Sequence, residues 1–209
     1  MLLEQVEVFR EGFGPGAVPT GLLRVGVAHA FLDWNRGRLI AEAIGRFAAT
    51  FNRVTLRLSA GWTPSLITEL EQGGLDAAIV IARPGISWPS QVNVTAIGGD
   101  QLVAVAPRRF GLASSTMFEE LFEHPWILNP DGCGYRSLVT TLAARHGRTL
   151  RIAAEVHGAE LHHRLIAAGL DVGLVPLRVA RYWKSLERSR VGLTVIKPAQ
   201  AIRLSSKRR

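Results

Sequence analysis

The chain contains a single cysteine, Cys133, in 209 residues, so no internal disulfide can form. It also lacks any long apolar run. The most strongly apolar stretch, Ala77 to Ala82, is six residues, against the roughly 20 that a helix needs to cross a bilayer. The opening MLLEQVEVFRE sets three glutamates among its apolar positions, unlike the uninterrupted apolar segment of an export signal. A cytoplasmic protein with no membrane contact is therefore the expectation, its lone thiol kept reduced. A disordered chain is excluded too, because 47% hydrophobic and 20% charged residues are ordinary globular proportions.

Acidic residues are scarce in one place. Between Arg178 and Arg209 ten Lys or Arg stand against one acid, Glu187, whereas fifteen bases meet sixteen acids in the 177 residues before them. The formal charge of +8 thus belongs to the tail, not to a groove that would hold nucleic acid. A solvated basic tail is the plain reading.

What is present is an alternation of strand and helix patterns. A Gly/Pro-rich hinge, Gly12 to Pro19, follows a short helical stretch at residues 2–11. Leu22–Val27 then reads as a strand, and Leu39, Ile40, Ala43, Ile44, Phe47 and Phe51 recur at helical spacing. Val54, Leu56 and Leu58 alternate as in a strand. Thr63-Pro64 opens a second helix, with Thr63 expected to cap it, and Gly73-Gly74 closes it. Ala77–Ala82 reads as a strand buried on both faces. Strand, helix, strand, helix, strand implies a parallel, doubly wound sheet.

The grammar repeats. Strands are expected at Leu102–Ala106, Trp126–Leu128, Ile152–Val156 and Val172–Val175, and helices at Tyr135–His146 and Ala159–Ala168. Gly74-Leu-Asp-Ala-Ala-Ile-Val80 and Gly169-Leu-Asp-Val-Gly-Leu-Val175 share a phrase, each after an amphipathic helix. Two like lobes are expected. Ligands of open α/β sheets bind outside the carboxyl ends of the strands. The loops at those ends are Ala28-His29-Ala30, Gly61-Trp62-Thr63, Arg83-Pro84, Asn129 to Tyr135, and His157-Gly158-Ala159. Several open helix N-termini, which favour anions.

Five ordered motifs resemble the effector-binding domain of LysR-type transcriptional regulators. They are GLLRVGVA at 21–28, the Gly61-x-Thr63-x-x-Leu66-x-x-x-Leu70-x-x-Gly73-x-Leu75-Asp76-x-Ala78-Ile79 pattern, Leu102-Val-Ala-Val-Ala-Pro107, Phe118-Glu-Glu-Leu-Phe-Glu-His-Pro-Trp126-Ile127, and Val172-Gly-Leu-Val-Pro176. The resemblance covers residues 21–198. It implies a two-lobed, type 2 periplasmic-binding-protein-like α/β fold whose lobes are joined by two crossover strands. Subdomain I would comprise 21–102 and 177–198 and subdomain II 103–176, with 1–20 a remnant of a linker helix plus hinge and 199–209 a basic tail. It further implies a small-molecule effector in the interlobe cleft and pairing with another copy through effector domains, and the helix N-termini at the strand ends make that effector anionic rather than cationic. Promoter DNA would be bound only by a full-length form bearing a winged helix-turn-helix. Residues 1–20 leave no room for that element, and no helix follows Pro198 to complete the first lobe, so a truncated regulator is expected.

The expected effector-binding residues are His29, Ala30, Trp62, Thr63, Asn129, Cys133, Tyr135, Arg136, His157 and Gly158. Thr63 matches the Ser/Thr that contacts effectors in the family, although a cap hydroxyl explains it equally. Trp62 shapes a pocket or covers a lobe edge. His29 and Ala30 stand where the family often has a hydroxyl, which points to an altered ligand preference or to a plain solvent loop. Cys133 opens a helix that could depress its pKa, yet no orienting group accompanies a base and no second cysteine could resolve an oxidised thiol. It is expected to line the pocket, and the protein is not expected to be an enzyme. Tyr135 and Arg136 bind an anion, or Arg136 pairs with an acid. His157, Glu160 and His163 lie at three-residue steps, too few ligands for a metal, and no metal or cofactor is expected. The rival reading is a stand-alone solute-binding protein, against which the lack of an export signal weighs.

Overall fold

Strand β1 (Gly21–Ala28) buries progressively toward its carboxyl end, where Gly26, Val27 and Ala28 leave solvent. It pairs in parallel with β2 (Val54–Gly61) along its whole length, from Gly21 opposite Val54 to Ala28 opposite Gly61, and with the short β3 (Ala77–Ile79) on its other side. Helix α1 (Trp34–Thr50) connects β1 to β2, and α2 (Thr63–Glu71) connects β2 to β3. Leu66 of α2 and Leu75 pack over β1 with Ala28. A Cβ at Gly26 would come within 2.7 Å of both leucines, so glycine is what lets the helix settle on the strand. The structure, a computed structural model, describes residues 19–32, 34–82, 87–185, 193–196 and 203–204.

The AAIVIA run departs from expectation. Only Ala77–Ile79 forms a strand, and Ala77 is exposed. In the order β2-β1-β3 this strand has a single hydrogen-bonded neighbour, so among the described residues it is an edge, and burial on both faces does not arise.

The described residues divide into two compact units. The first holds β1, α1, β2, α2 and β3, with Ser87–Ile97. The second begins its regular structure with β4 (Asp100–Pro107) and continues through β5 (Pro125–Leu128), α3 (Gly134–Arg145), β6 (Arg151–Glu155), α4 (Ala159–Ala167), β7 (Val172–Pro176), α5 (Leu177–Ser185), β8 (Leu193–Ile196) and β9 (Arg203–Leu204). Its strand order is β6-β5-β7-β4-β8, with β9 also on β4. The strands β6, β5 and β7 are parallel, while β4 runs antiparallel to β7 and β8. This sheet is therefore mixed, its parallel strands β6, β5 and β7 extended by antiparallel pairing through β4. Val103, Val105, Ile127, Val156, Ile166, Val175 and Val179 form its core.

The chain after residue 177 also departs from expectation. The resemblance groups it with residues 21–102 in subdomain I, but α5 and β8 belong to the second unit, because β8 hydrogen-bonds to β4 from Ala104 opposite Ile196 to Pro107 opposite Leu193. The linker-helix remnant and most of the hinge (residues 1–18), the Arg83-Pro84 loop and the basic tail at 199–202 and 205–209 lie outside the described residues.

The phrase repeated once per unit has a physical basis. Asp76 takes the Arg24 guanidinium at 2.7 and 3.0 Å and accepts from the Arg24 backbone N–H at 2.8 Å. The Arg24 hydrogen bonds hold its carboxyl below the usual carboxylate range. Asp171 lies 3.6 Å from the guanidinium of Arg109, which also donates to the Gly169 and Leu170 carbonyls. Each aspartate thus fixes the turn between a helix and its following strand.

Candidate functional site

In the first unit the β1/β2 register brings Ala28 and Gly61 side by side, so the segments that follow share one sheet edge. The turn His29–Phe31 leaves β1 there and α2 starts beyond Trp62. The His29 and Trp62 rings are 4.6 Å apart at 56°, which joins two of the expected residues into one aromatic wall beside Ala30. Trp62 is the N-cap of α2, and no side chain caps it. Thr63, expected as the cap, sits one position later. Its buried hydroxyl donates to the Ile81 carbonyl at 3.0 Å, and Ser65 Oγ donates to the Trp62 carbonyl at 2.8 Å. The Thr63 hydroxyl thereby ties the α2 N-terminus to the chain leaving β3.

In the second unit Leu128 pairs with Glu155 at the ends of β5 and β6. The two loops beyond them are cross-linked by Asn129, whose Nδ2 donates to the Val156 carbonyl at 2.8 Å and reaches the Gly158 carbonyl at 3.5 Å. The Cys133 thiol donates weakly to Asn129 Oδ1 at 3.6 Å, and Cys133 is the N-cap of α3. Gly158, at φ 90°, is the N-cap of α4, a left-handed position that glycine occupies without strain. Two helix N-termini therefore open on the edge formed by Asn129, Cys133, Arg136 and Gly158.

The electrostatics of this edge differ from a simple anion cradle. Arg136 donates to Glu155, meets Asp131 Oδ1 at 3.0 Å and donates to the Asn129 carbonyl at 3.1 Å. Its side chain is 14% exposed while Asp131 is 93% exposed. Of the two readings of Arg136, pairing with an acid is the one these distances describe. At Cys133 the lowering that a helix start could bring does not occur. Burial pushes its thiol up, and the opposing N–H groups of Arg136 and Tyr135 do not overcome that. The helix start is expected to lower it, but the cost of a buried thiolate is larger. Tyr135 is buried and His157 is exposed. Among the described residues no group of three His, Cys, Asp or Glu side chains could hold a metal ion.

Reading loops in sequence misses two contributors. Glu155 ends a strand rather than lying in a loop, and only the β5/β6 pairing places it beside Arg136. The partner of Thr63 is a main-chain carbonyl, which no side-chain pattern announces.

The two α/β units, each with helix N-termini at a strand edge, have a type 2 periplasmic-binding-protein-like fold. Solved neighbours show the same fold. The QuiR effector binding domain in complex with shikimate aligns with a TM-score of 0.63 at 16% identity, over 87% of this chain and 82% of that one. The regulatory domain of CcmR from Synechocystis PCC6803, in complex with 2-PG, gives 0.64 at 19% identity, over 88% and 83%. Residues 16–204 match the LysR substrate binding domain, and the chain belongs to that family. The HTH-type transcriptional regulator IlvR of Caulobacter vibrioides is 26% identical over 140 residues, 66% of this chain and 47% of its own length. The regulator CzcR of Bacillus subtilis is 24% identical over 175 residues, 84% of this chain and 56% of its own. The chain spans about half the length of these curated relatives.

Proposed function

We propose that this chain is the effector-sensing part of a LysR-type transcriptional regulator, and that its strand-end residues hold a small molecule whose binding controls transcription. The observation that carries the reading is the shared placement of three helix N-termini, those of α2, α3 and α4, at the carboxyl ends of strands. His29, Ala30, Trp62 and Thr63 supply the first set of contacts. Asn129, Cys133, Tyr135, Arg136, His157 and Gly158 supply the second. Backbone N–H groups at such termini favour a negatively charged ligand, which keeps the expected ligand anionic although Arg136 is engaged with carboxylates. A ligand acts by binding one conformation of the domain better than another. The buried Cys133, its thiol held protonated by desolvation, has no place as a nucleophile in this scheme.

Promoter DNA and a second copy of the domain are the partners proposed for the full-length regulator. Large apolar side chains left exposed include Leu22, Leu39 and Leu58 in the first unit and Ile152, Leu161 and Leu170 in the second, and self-association is proposed to draw on side chains of this kind. Sedimentation at increasing concentration is expected to show a dimer. A monomer throughout would remove that partner. Transport as a stand-alone solute-binding protein is not favoured by the relatives named above, which are regulators.

A thermal-shift screen of organic acids and amino acids tests the central reading. An excess of one hundred times the dissociation constant stabilises by about 2.7 kcal/mol, which raises Tm by roughly 5–10 °C in a chain of this size. Saturable shifts from anionic compounds are expected. Saturable shifts from cationic compounds alone would overturn the charge argument.

A further inference from the structure

We infer that His162 is an acid-sensitive latch holding α4 on the second sheet. The ring is buried, with 2% of the residue exposed, and its Nε2 lies 2.9 Å from the Ile127 carbonyl of β5. A carbonyl only accepts, so Nε2 carries a proton, and in the uncharged ring Nδ1 then has none. A second proton has to go to Nδ1 of a ring that is almost wholly removed from solvent. Desolvation accordingly holds His162 below the ordinary imidazole range, although the Ile127 bond pulls the other way.

The elements around the ring do not favour a positive charge. His163, whose ring centroid is 5.7 Å away, is the adjacent titratable group on the same helix and is itself buried. The other charged side chains of α4, Glu160 and Arg164, pair with each other at 2.7 Å and are half or more exposed. The helix packs on β4, β5 and β7. Their sequences DQLVAVAP, PWIL and VGLVP contain one ionisable residue, Asp100, at the start of β4. Helix α5 shares the same core through Val179 and Ala180 and carries Arg178, Arg181, Tyr182 and Lys184. On the far side of β5, β6 brings Arg151 and Glu155, and Glu155 is engaged with Arg136.

The sign follows from linkage. The opened helix exposes an imidazole with an ordinary pKa of about 6.5, while the closed one resists the proton, so the open state binds more protons in acid. The latch is at full strength above about pH 6.5 and weakens as pH falls toward the depressed value. The opening constant rises about tenfold for each pH unit within that window. Release travels to the loop edge, because Gly158 caps α4 and its carbonyl faces the Asn129 amide. That last link rests on the effector reading; the latch itself does not.

The experiment is amide hydrogen exchange on the ligand-free chain between pH 7.5 and 5.5, corrected for intrinsic rates. Protection of α4 is expected to fall about tenfold per pH unit below about pH 6.5, while α2 in the first unit keeps its protection. His162→Gln places a donor amide near the position of Nε2 and cannot titrate, so its α4 profile is expected to be flat. A flat wild-type profile, or the same fall in H162Q, would overturn the proposal. If H162Q fails to fold, the wild-type His162 ring resonance decides. A ring that stays neutral until α4 opens supports the latch, and one that titrates at the ordinary value while α4 stays protected overturns it.

Discussion

Replacing Gly173 with Ala is the sharpest test of how the second unit is packed. Gly173 lies in β7 directly under α4, and a Cβ there would come 2.0 Å from Cδ1 and 2.4 Å from Cγ1 of Ile166. Ile166 is fully buried. Turning χ2 moves Cδ1 but leaves Cγ1 in place, and χ1 of a helical isoleucine is nearly fixed. The helix must therefore shift outward, and overpacking of this kind costs about 1–3 kcal/mol. With a urea m-value of about 2 kcal/mol/M, the unfolding midpoint followed by circular dichroism is expected to fall by about 0.5–1.5 M. Ile166→Ala alone removes the clashing atoms and leaves a cavity, at about 2–5 kcal/mol. In the double variant the new methyl occupies part of that void. G173A/I166A is therefore expected to be no less stable than I166A, so the two costs do not add. Additivity within about 0.5 kcal/mol, or an unchanged midpoint for G173A, would refute the packing argument.

Thr63→Val deprives the Ile81 carbonyl of its donor and is expected to cost about 1–3 kcal/mol, with weaker binding of any compound found in the thermal screen; Thr63→Ser retains both. Urea unfolding and calorimetric titration of the three proteins separate the effects, and wild-type affinity in the valine variant removes Thr63 from the site. Cys133, buried and raised by desolvation, is expected to react with an aromatic disulfide reagent many times more slowly in the native chain than in urea, and Cys133→Ser to keep its ligand response. Equal rates in both states would contradict the burial argument.

The sequence by itself determined the order of strands and helices from β1 to β7, though not α5, β8 and β9 beyond them, because periods of two and 3.6 are written in the apolar positions and Gly and Pro punctuate them. Val54, Leu56 and Leu58 alternate into β2, and Pro107 and Pro176 end β4 and β7. The sheet edge that gathers His29, Trp62 and Thr63 was legible for the same reason: loops at carboxyl ends follow from strand order. Tertiary structure decided what depends on partners distant in sequence. AAIVIA is apolar enough for a central strand, yet among the described residues its pairing with β1 alone makes it an edge. Thr63 looks like a cap, but the carbonyl of Ile81, eighteen residues on, accepts its hydrogen bond. Arg136 finds Glu155, nineteen residues away, only because β5 and β6 lie side by side. Burial reverses the effect expected of a helix start on Cys133, since the free energy of a thiolate depends on the water removed around it as well as on the backbone that precedes it.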